Sequence, residues 1–257
     1  MSPLWPETIR VGLFPGHGWL TSKQLNISQV RDPSSPIVPE GATSLLKDLL
    51  DTAGAKIKRG SRVQILVSDI LAATVSLPWQ DALRRPVERQ SYARVCLEKA
   101  GLISDDDWVI QAEYHQYCQA GLAYAVRQSW LEELVALLSS RNLKLEFLLP
   151  ASVAAYAYAK PQAKEGNVLM VLWDDQCMSA LCFTRGVLTA VDAEPVIGAH
   201  EAVVFRLLVR CSSHISTISK VKLWSTTPEN TDGLKQMVSL ALGHSSVQLL
   251  PLCALER

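Results

Sequence analysis

Two rhythms of apolar and polar positions run through this chain, and the changes between them mark its elements. Short apolar runs rich in β-branched residues stand at Ile9–Phe14 (IRVGLF), Val63–Val67 (VQILV) and Asn167–Trp173 (NVLMVLW). All three read as strands, and the run at Val63–Val67 suits a strand buried on both faces. A second strand begins near Trp19, after the turn Gly16-His17-Gly18. Further strands are expected at Trp108–Glu113, Gly121–Val126, Leu143–Leu149 (LKLEFLL), Met178–Thr184, Val187–Asp192, Val221–Trp224 and Val247–Leu250. The helical rhythm appears at Thr43–Ala53, where Leu45, Leu46, Leu49 and Leu50 form one stripe. It returns over Asp81–Ala100, stopped by Gly101 as a natural residue after the helix end. Ser129-x-x-Glu132 resembles a capping box opening a helix over Trp130–Arg141, and Pro150 heads the alanine-rich helix Ala151–Ala159. His200–Cys211 and Asp232–Leu242 complete the helices.

The stretch Val63–Trp79 (VQILVSDILAATVSLPW) is the most definite. Ser68-Asp69 favours a turn, because both side chains can hydrogen-bond the local backbone. The run Leu71–Leu77 is then expected to pair back on Val63–Val67 as a hairpin. Pro78 ends the second strand because it has no N–H for the ladder. Asp32–Gly41 carries three prolines and two serines and reads as a loop, and Lys56–Arg62 as a solvated basic connector rather than a phosphate site. Pro161–Gly166 divides the chain into 1–160 and 161–257. Each part opens with a strand meander and continues with alternating helices and strands. Repetition of that kind predicts a mixed α/β architecture with the topology of the actin-like (ribonuclease H-like) fold.

Composition narrows the function classes. The 257 residues balance 25 cationic against 25 acidic side chains, which argues against a broad electrostatic footprint for nucleic acid or anionic membrane. No apolar run is long enough for a membrane-spanning helix, and the opening MSPLWPETIR lacks the basic start and apolar core of a signal peptide. The six cysteines (96, 118, 177, 182, 211 and 253) form no C-x-x-C pair and read as small buried hydrophobes in a reducing cytosol. Asp105-Asp106-Asp107 reads as a charged loop, since three consecutive side chains diverge rather than converge on a cation. The histidines at 17, 115, 200, 214 and 244 show no metal-ligand spacing, and His17, in its glycine turn, is the one expected to be most exposed. P-loop, dinucleotide-binding, nucleophile-elbow and zincin motifs are absent. No catalytic, cofactor-binding or metal-binding residue is assigned. Seven tryptophans are divided between core and protein-contact roles, with Trp79 able to serve either.

The hairpin VQILVSDILAATVSLPW resembles the V-V-L-S-(D/N)…L/V-P-W hairpin of bacterial proteins related to the cytoplasmic domain of the type II secretion component GspL and the type IV pilus component PilM. The likeness runs on through Tyr92–Gly101, Asp107-Trp108, the helix from Trp130, LKLEFLLP and the meander VLMVLWDDQCMSALCFTRGVLTAV. Members often carry an arginine and an aromatic in the second hairpin strand, where this chain has Ala72, Ala73 and Thr74. The resemblance implies an actin-like, non-catalytic scaffold of an inner-membrane secretion or pilus-assembly platform that acts through protein partners. It implies a cytoplasmic location, peripheral to the inner membrane, with the membrane reached only through a partner or through a C-terminal anchor outside this sequence; a homodimer stays open. No nucleic acid and no cofactor is implied. Nucleotide binding in such a fold uses an acidic residue and glycines after the first strand and an acidic-x-glycine turn in the other half. Here the first turn, Phe14-Pro15-Gly16-His17-Gly18, has no carboxylate. The second, Asp174-Asp175-Gln176-Cys177, has no glycine to let backbone N–H groups approach phosphate. The alternative is an actin-like ATPase or kinase-like enzyme working through Asp174 and Asp175.

Overall fold

The computed structural model describes residues 6–32, 35–114, 117–215, 217–226, 231–242 and 246–250. His115, His244 and Cys253 lie outside the described residues. Two five-stranded sheets share one topology. The first is built from β1 (Thr8–Phe14), β2 (His17–Thr21), β3 (Asn26–Val30), β4 (Arg62–Val67) and β8 (Lys144–Pro150), in the order β3-β2-β1-β4-β8. The second uses β9 (Asn167–Trp173), β10 (Cys177–Thr184), β11 (Val187–Pro195), β12 (Lys220–Ser225) and β13 (Ser246–Leu249), in the order β11-β10-β9-β12-β13. Each opens as an antiparallel meander and then adds two parallel strands on the far side of its first strand. The repetition expected from element order is therefore present as strand order. Between β4 and β8 the first sheet's connection carries β5 (Ala73–Leu77), β6 (Trp108–Glu113) and β7 (Gly121–Arg127), a third sheet of order β5-β7-β6.

The hairpin expected over Val63–Leu77 does not form. β4 lies between β1 and β8 and is parallel to both, while β5 pairs antiparallel with β7 in the third sheet. A single 3-10 turn at Asp69–Leu71 carries the chain from one sheet to the other. Asp69 at its start is buried and bonded to Ser152 far along the chain, so a tertiary contact overrides the local hairpin preference. Strand β3 was not foreseen, since its pattern is polar and exposed at alternate positions.

Among the described residues six α-helices close the layers: α1 (Pro39–Ala53), α2 (Pro86–Lys99), α3 (Gln128–Ser140), α4 (Ala151–Tyr158), α5 (His200–Ser212) and α6 (Thr231–Leu242). Both α1 and α2 start with proline at a first-turn position, where the missing N–H costs nothing. Hence α1 begins inside the expected loop Asp32–Gly41. α2 begins five residues later than expected, because the Glu88 carboxylate accepts from the Arg84 and Arg85 amides and caps it there. The capping box foreseen at Ser129 is not used: the Ser129 hydroxyl donates to Asp107 at 2.8 Å. Pro150 is the last residue of β8 as well as the residue before α4.

One core joins the two large sheets. Alternation along β9 sends Val168, Met170 and Leu172 into the core that holds Leu13, Phe14, Leu66 and the α1 leucines, while Leu169, Val171 and Trp173 face α5. Trp224 of β12 crosses to the same shared core and packs its ring 5.6 Å from Phe14. Gly12 makes the first sheet's share possible. It pairs with Trp19 across the β1–β2 ladder, and a Cβ there would lie 2.2 Å from the indole. The third sheet has a smaller core of its own, Leu77, Ala93, Leu97, Ile103, Ile110 and Ala125, under α2.

Candidate functional site

Two places in the fold concentrate chemistry or exposed binding surface: the cleft between the large sheets, and a groove beside β8. The cleft is flanked by the β1–β2 and β9–β10 turns, which the shared topology makes equivalent. In the first turn, His17 is the opening residue of β2. It is half-buried rather than the most exposed histidine; burial lowers its pKa, and nearby Asp175 acts in the opposite direction. Asp175 is half-buried too. Burial raises its carboxyl pKa, and His200 and His17 pull it down. His200, exposed at the start of α5, stands edge-on to Trp173 at 4.9 Å. The second turn thus presents Asp175, but not Asp174, to the cleft mouth.

Asp174 points inward and is 5 % exposed. Its Oδ1 accepts from the Gln176 and Cys177 amides at 3.0 and 2.7 Å, and its Oδ2 accepts from the Ser68 hydroxyl at 2.5 Å. Burial raises its pKa to about 7, the hydrogen bonds oppose the shift, and buried Asp69 adds to it. Asp69 is 4 % exposed and accepts from the Ser152 amide and, at 2.7 Å, the Ser152 hydroxyl, at the amino end of α4. Burial pushes the Asp69 pKa up, and the hydroxyls of Ser179 on β10 and of Ser152 act in the opposite direction. Gln176 ties this turn to the segment before α1: its side-chain oxygen accepts from the Ile37 amide at 2.8 Å and its nitrogen donates to the Ser35 carbonyl at 2.6 Å. Both carboxylates at the base are thereby committed to protein donors. Among the described residues, no group of three or more His, Cys, Asp or Glu side chains is placed to hold a metal ion.

The sequence singled out Asp174, Asp175 and His17, and the fold brings them to the same cleft. Asp69, Ser152, Ser179 and Gln176 were missed as partners. Nothing local marks them: their spacings exceed eighty residues for Asp69–Ser152 and one hundred for Ser68–Asp174. The Asp105–Asp107 triplet is a charged loop tied by ion pairs to Arg94 and Arg127. Cys177, Cys182 and Cys211 are buried, Cys96 is half-buried and Cys118 exposed. Trp79 is half-buried, edge-on to Tyr114 and Tyr117.

The groove was not legible in the sequence at all. It comprises two adjoining clefts of about 400 and 290 Å³ that share Tyr124 of β7 and Phe147 of β8. One wall is the β6–β7 face bearing Val109, Gln111, Tyr124 and Val126; Val109 pairs with Val126, and Gln111 with Tyr124. Leu131 and Val135 of α3 line one end, and Val153, Tyr156 and Ala157 of α4 the other. Four successive β8 residues, Leu145 to Leu148, line the larger cleft. Side chains of a strand point alternately to its two faces, so a cleft touching four in a row runs along the strand's edge. Among the described residues β8 is that sheet's outer strand, paired on one side with β4.

Duplicated sheets of this order, closing a cleft between equivalent turns, define the actin-like fold, and the chain has it. Its solved likenesses include the PilM–PilN type IV pilus biogenesis complex (13% identity, 97% of this chain and 89% of that one, TM-score 0.64). The cytoplasmic domain of EpsL, an inner-membrane component of the Vibrio cholerae type II secretion system, matches at 14% identity over 97% and 92%, TM-score 0.59. A protein of actin-like ATPase fold and unknown function from Bacteroides thetaiotaomicron matches at 12% identity over 95% and 90%, TM-score 0.63. No family's sequence profile matches the chain, and no curated protein does. Among the described residues, no helix is long and apolar enough to cross a membrane.

Proposed function

We propose that this protein is a non-catalytic actin-like scaffold, with lobes 1–160 and 161–257, that works through protein contacts in an inner-membrane secretion or pilus-assembly platform. The observation that carries the reading is the state of Asp174: this carboxylate of the acidic turn is buried, and its oxygens are filled by Ser68, Gln176 and Cys177. The surface left open is apolar and lies along a strand edge that is unpaired among the described residues. An extended segment can add to such an edge through main-chain hydrogen bonds while its alternate side chains fill pockets. Val135, 43 % exposed, and half-buried Phe147 are the anchors the groove offers. The resemblance to PilM and EpsL supports a protein partner of that platform class and a cytoplasmic place at the inner membrane.

The test is a photo-crosslinking amino acid at position 147 in living cells, with position 106, on the exposed Asp105–Asp107 loop, as control. The scaffold reading expects an adduct from 147 with an inner-membrane platform protein and none from 106. Position 147 giving no adduct, or the same adducts as 106, overturns the groove assignment. The enzyme alternative rests on Asp175, whose half-buried carboxylate does face the cleft mouth; it requires Mg-ATP binding that is lost in Asp175→Asn.

A further inference from the structure

The cleft base has a feature that neither catalysis nor partner binding uses. Two buried carboxylates stand at the junction of the two lobes, and Asp174 is bonded to a serine of the opposite lobe. Asp174, on the β9–β10 turn, accepts from Ser68 after β4; Asp69, next to Ser68, accepts from Ser152, and the Ser179 hydroxyl of β10 acts to lower its pKa. The groups facing the pair are hydroxyls, amides and a thiol. Ser152 comes from α4, Ser179 and Cys177 from β10, and the Gln176 amide from the turn itself. The nearest histidines, His17 of β2 and His200 of α5, act on Asp175 at the mouth. Among the described residues no cation pairs with Asp69 or Asp174, and two carboxylates buried together disfavour double ionisation.

We propose that this serine–carboxylate junction is a proton-keyed hinge: the lobes are held together while Asp174 carries a proton, and opening the junction to water releases that proton. The chemistry is a single acid dissociation, with the proton passing to solvent and no other co-reactant. In the closed state Asp174 keeps its Gln176 and Cys177 amide bonds and shares a hydrogen bond with Ser68. In the open state the carboxyl is hydrated and ionises at its ordinary, much lower pH. The direction of its pKa, raised by burial and by Asp69, agrees with that geometry. The hinge is independent of the scaffold reading, since it concerns how the lobes move and not what binds them.

Hydrogen exchange tests it on the full chain, with rates corrected for intrinsic chemistry, at pH 5, 6, 7 and 8. Peptides covering 64–72 and 168–180 report the junction. Their opening constant is expected to rise about tenfold per pH unit up to about pH 7 and then level off. Asp174→Asn, nearly isosteric and uncharged, should exchange slowly and without pH dependence in the same peptides. Ser68→Ala should raise exchange at every pH. A wild-type profile with no pH dependence overturns the hinge. So does a profile that persists in Asp174→Asn and disappears in Asp175→Asn, which would place the titration at the mouth cluster with His17 and His200.

Discussion

Trp224→Ala tests whether the two lobes are one cooperative body. The indole sits on a strand of the second sheet, is 2 % exposed, and packs on Phe14 of the first sheet within the shared core. A buried tryptophan removes roughly 150–250 Å² from water. At about 25 cal/mol per Å² that corresponds to about 4–6 kcal/mol of transfer free energy. Part of the ring's surface is replaced by the alanine methyl and by relaxation of the site, so a loss of about 3–5 kcal/mol is expected, the range typical of buried Trp→Ala changes. For a chain of this size each kcal/mol moves the midpoint by about 2–4 °C, giving a fall of roughly 6–20 °C. The assay is thermal unfolding followed by circular dichroism, with hydrogen exchange read separately in β1–β4 and β9–β12. Because the side chain reports from one lobe and packs in the other, both sets of peptides should lose protection together in one transition. Two transitions, with β1–β4 unmoved, would refute the shared core.

Other consequences follow from the same contacts. Asp174 has its folded pKa raised to about 7 from 3.8. Its contribution is therefore fully present below about pH 4 and is lost as pH rises to about 7, by at most about 4 kcal/mol. Asp174→Asn should match the wild type in urea melts at pH 4 and exceed it at pH 8; a variant weaker at pH 8 would contradict the buried-carboxylate account. Gly121→Ala would place a Cβ 2.2 Å from the Glu113 carbonyl oxygen. Backbone cannot yield as a side-chain tip does, so a loss of about 1–3 kcal/mol is expected, read as a lower urea midpoint, with protection lost first in β5–β7. Phe147→Arg, on the rim of the groove, should leave the melting midpoint within about 2 °C of wild type while removing the crosslink from a probe placed at position 145 of the same strand.

Strand and helix positions were largely legible because periodicity records burial. The run after Asn167 in β9 is apolar at successive positions and is buried; the leucine stripe at 45, 46, 49 and 50 is the buried face of α1. Pairing was not legible where a distant residue decided it. Val63–Leu77 reads as a hairpin until Asp69 is seen bonded to Ser152, a contact that turns the chain into another sheet. Strand β3 escaped because Asn26–Val30 stands at a sheet edge with polar positions exposed. The cleft shows the same division. Asp174 and Asp175 were visible as a turn, but which of them points inward depends on Ser68, more than one hundred residues earlier. The groove depends on β8 having, among the described residues, a neighbour on one side only, a property of sheet order that no residue of LKLEFLL encodes.

The most direct test of the central claim is thermal unfolding of the full chain with and without 5 mM Mg-ATP. A ligand bound only by the native state stabilises it by about 2.7 kcal/mol at one hundred times its Kd, or roughly 5–11 °C here. A cleft whose inner carboxylates, Asp69 and Asp174, are already filled by Ser68, Ser152 and backbone amides predicts a midpoint unchanged within error. A magnesium-dependent rise of several degrees, lost in Asp175→Asn, would contradict the scaffold account and make the protein a nucleotide-dependent member of its fold.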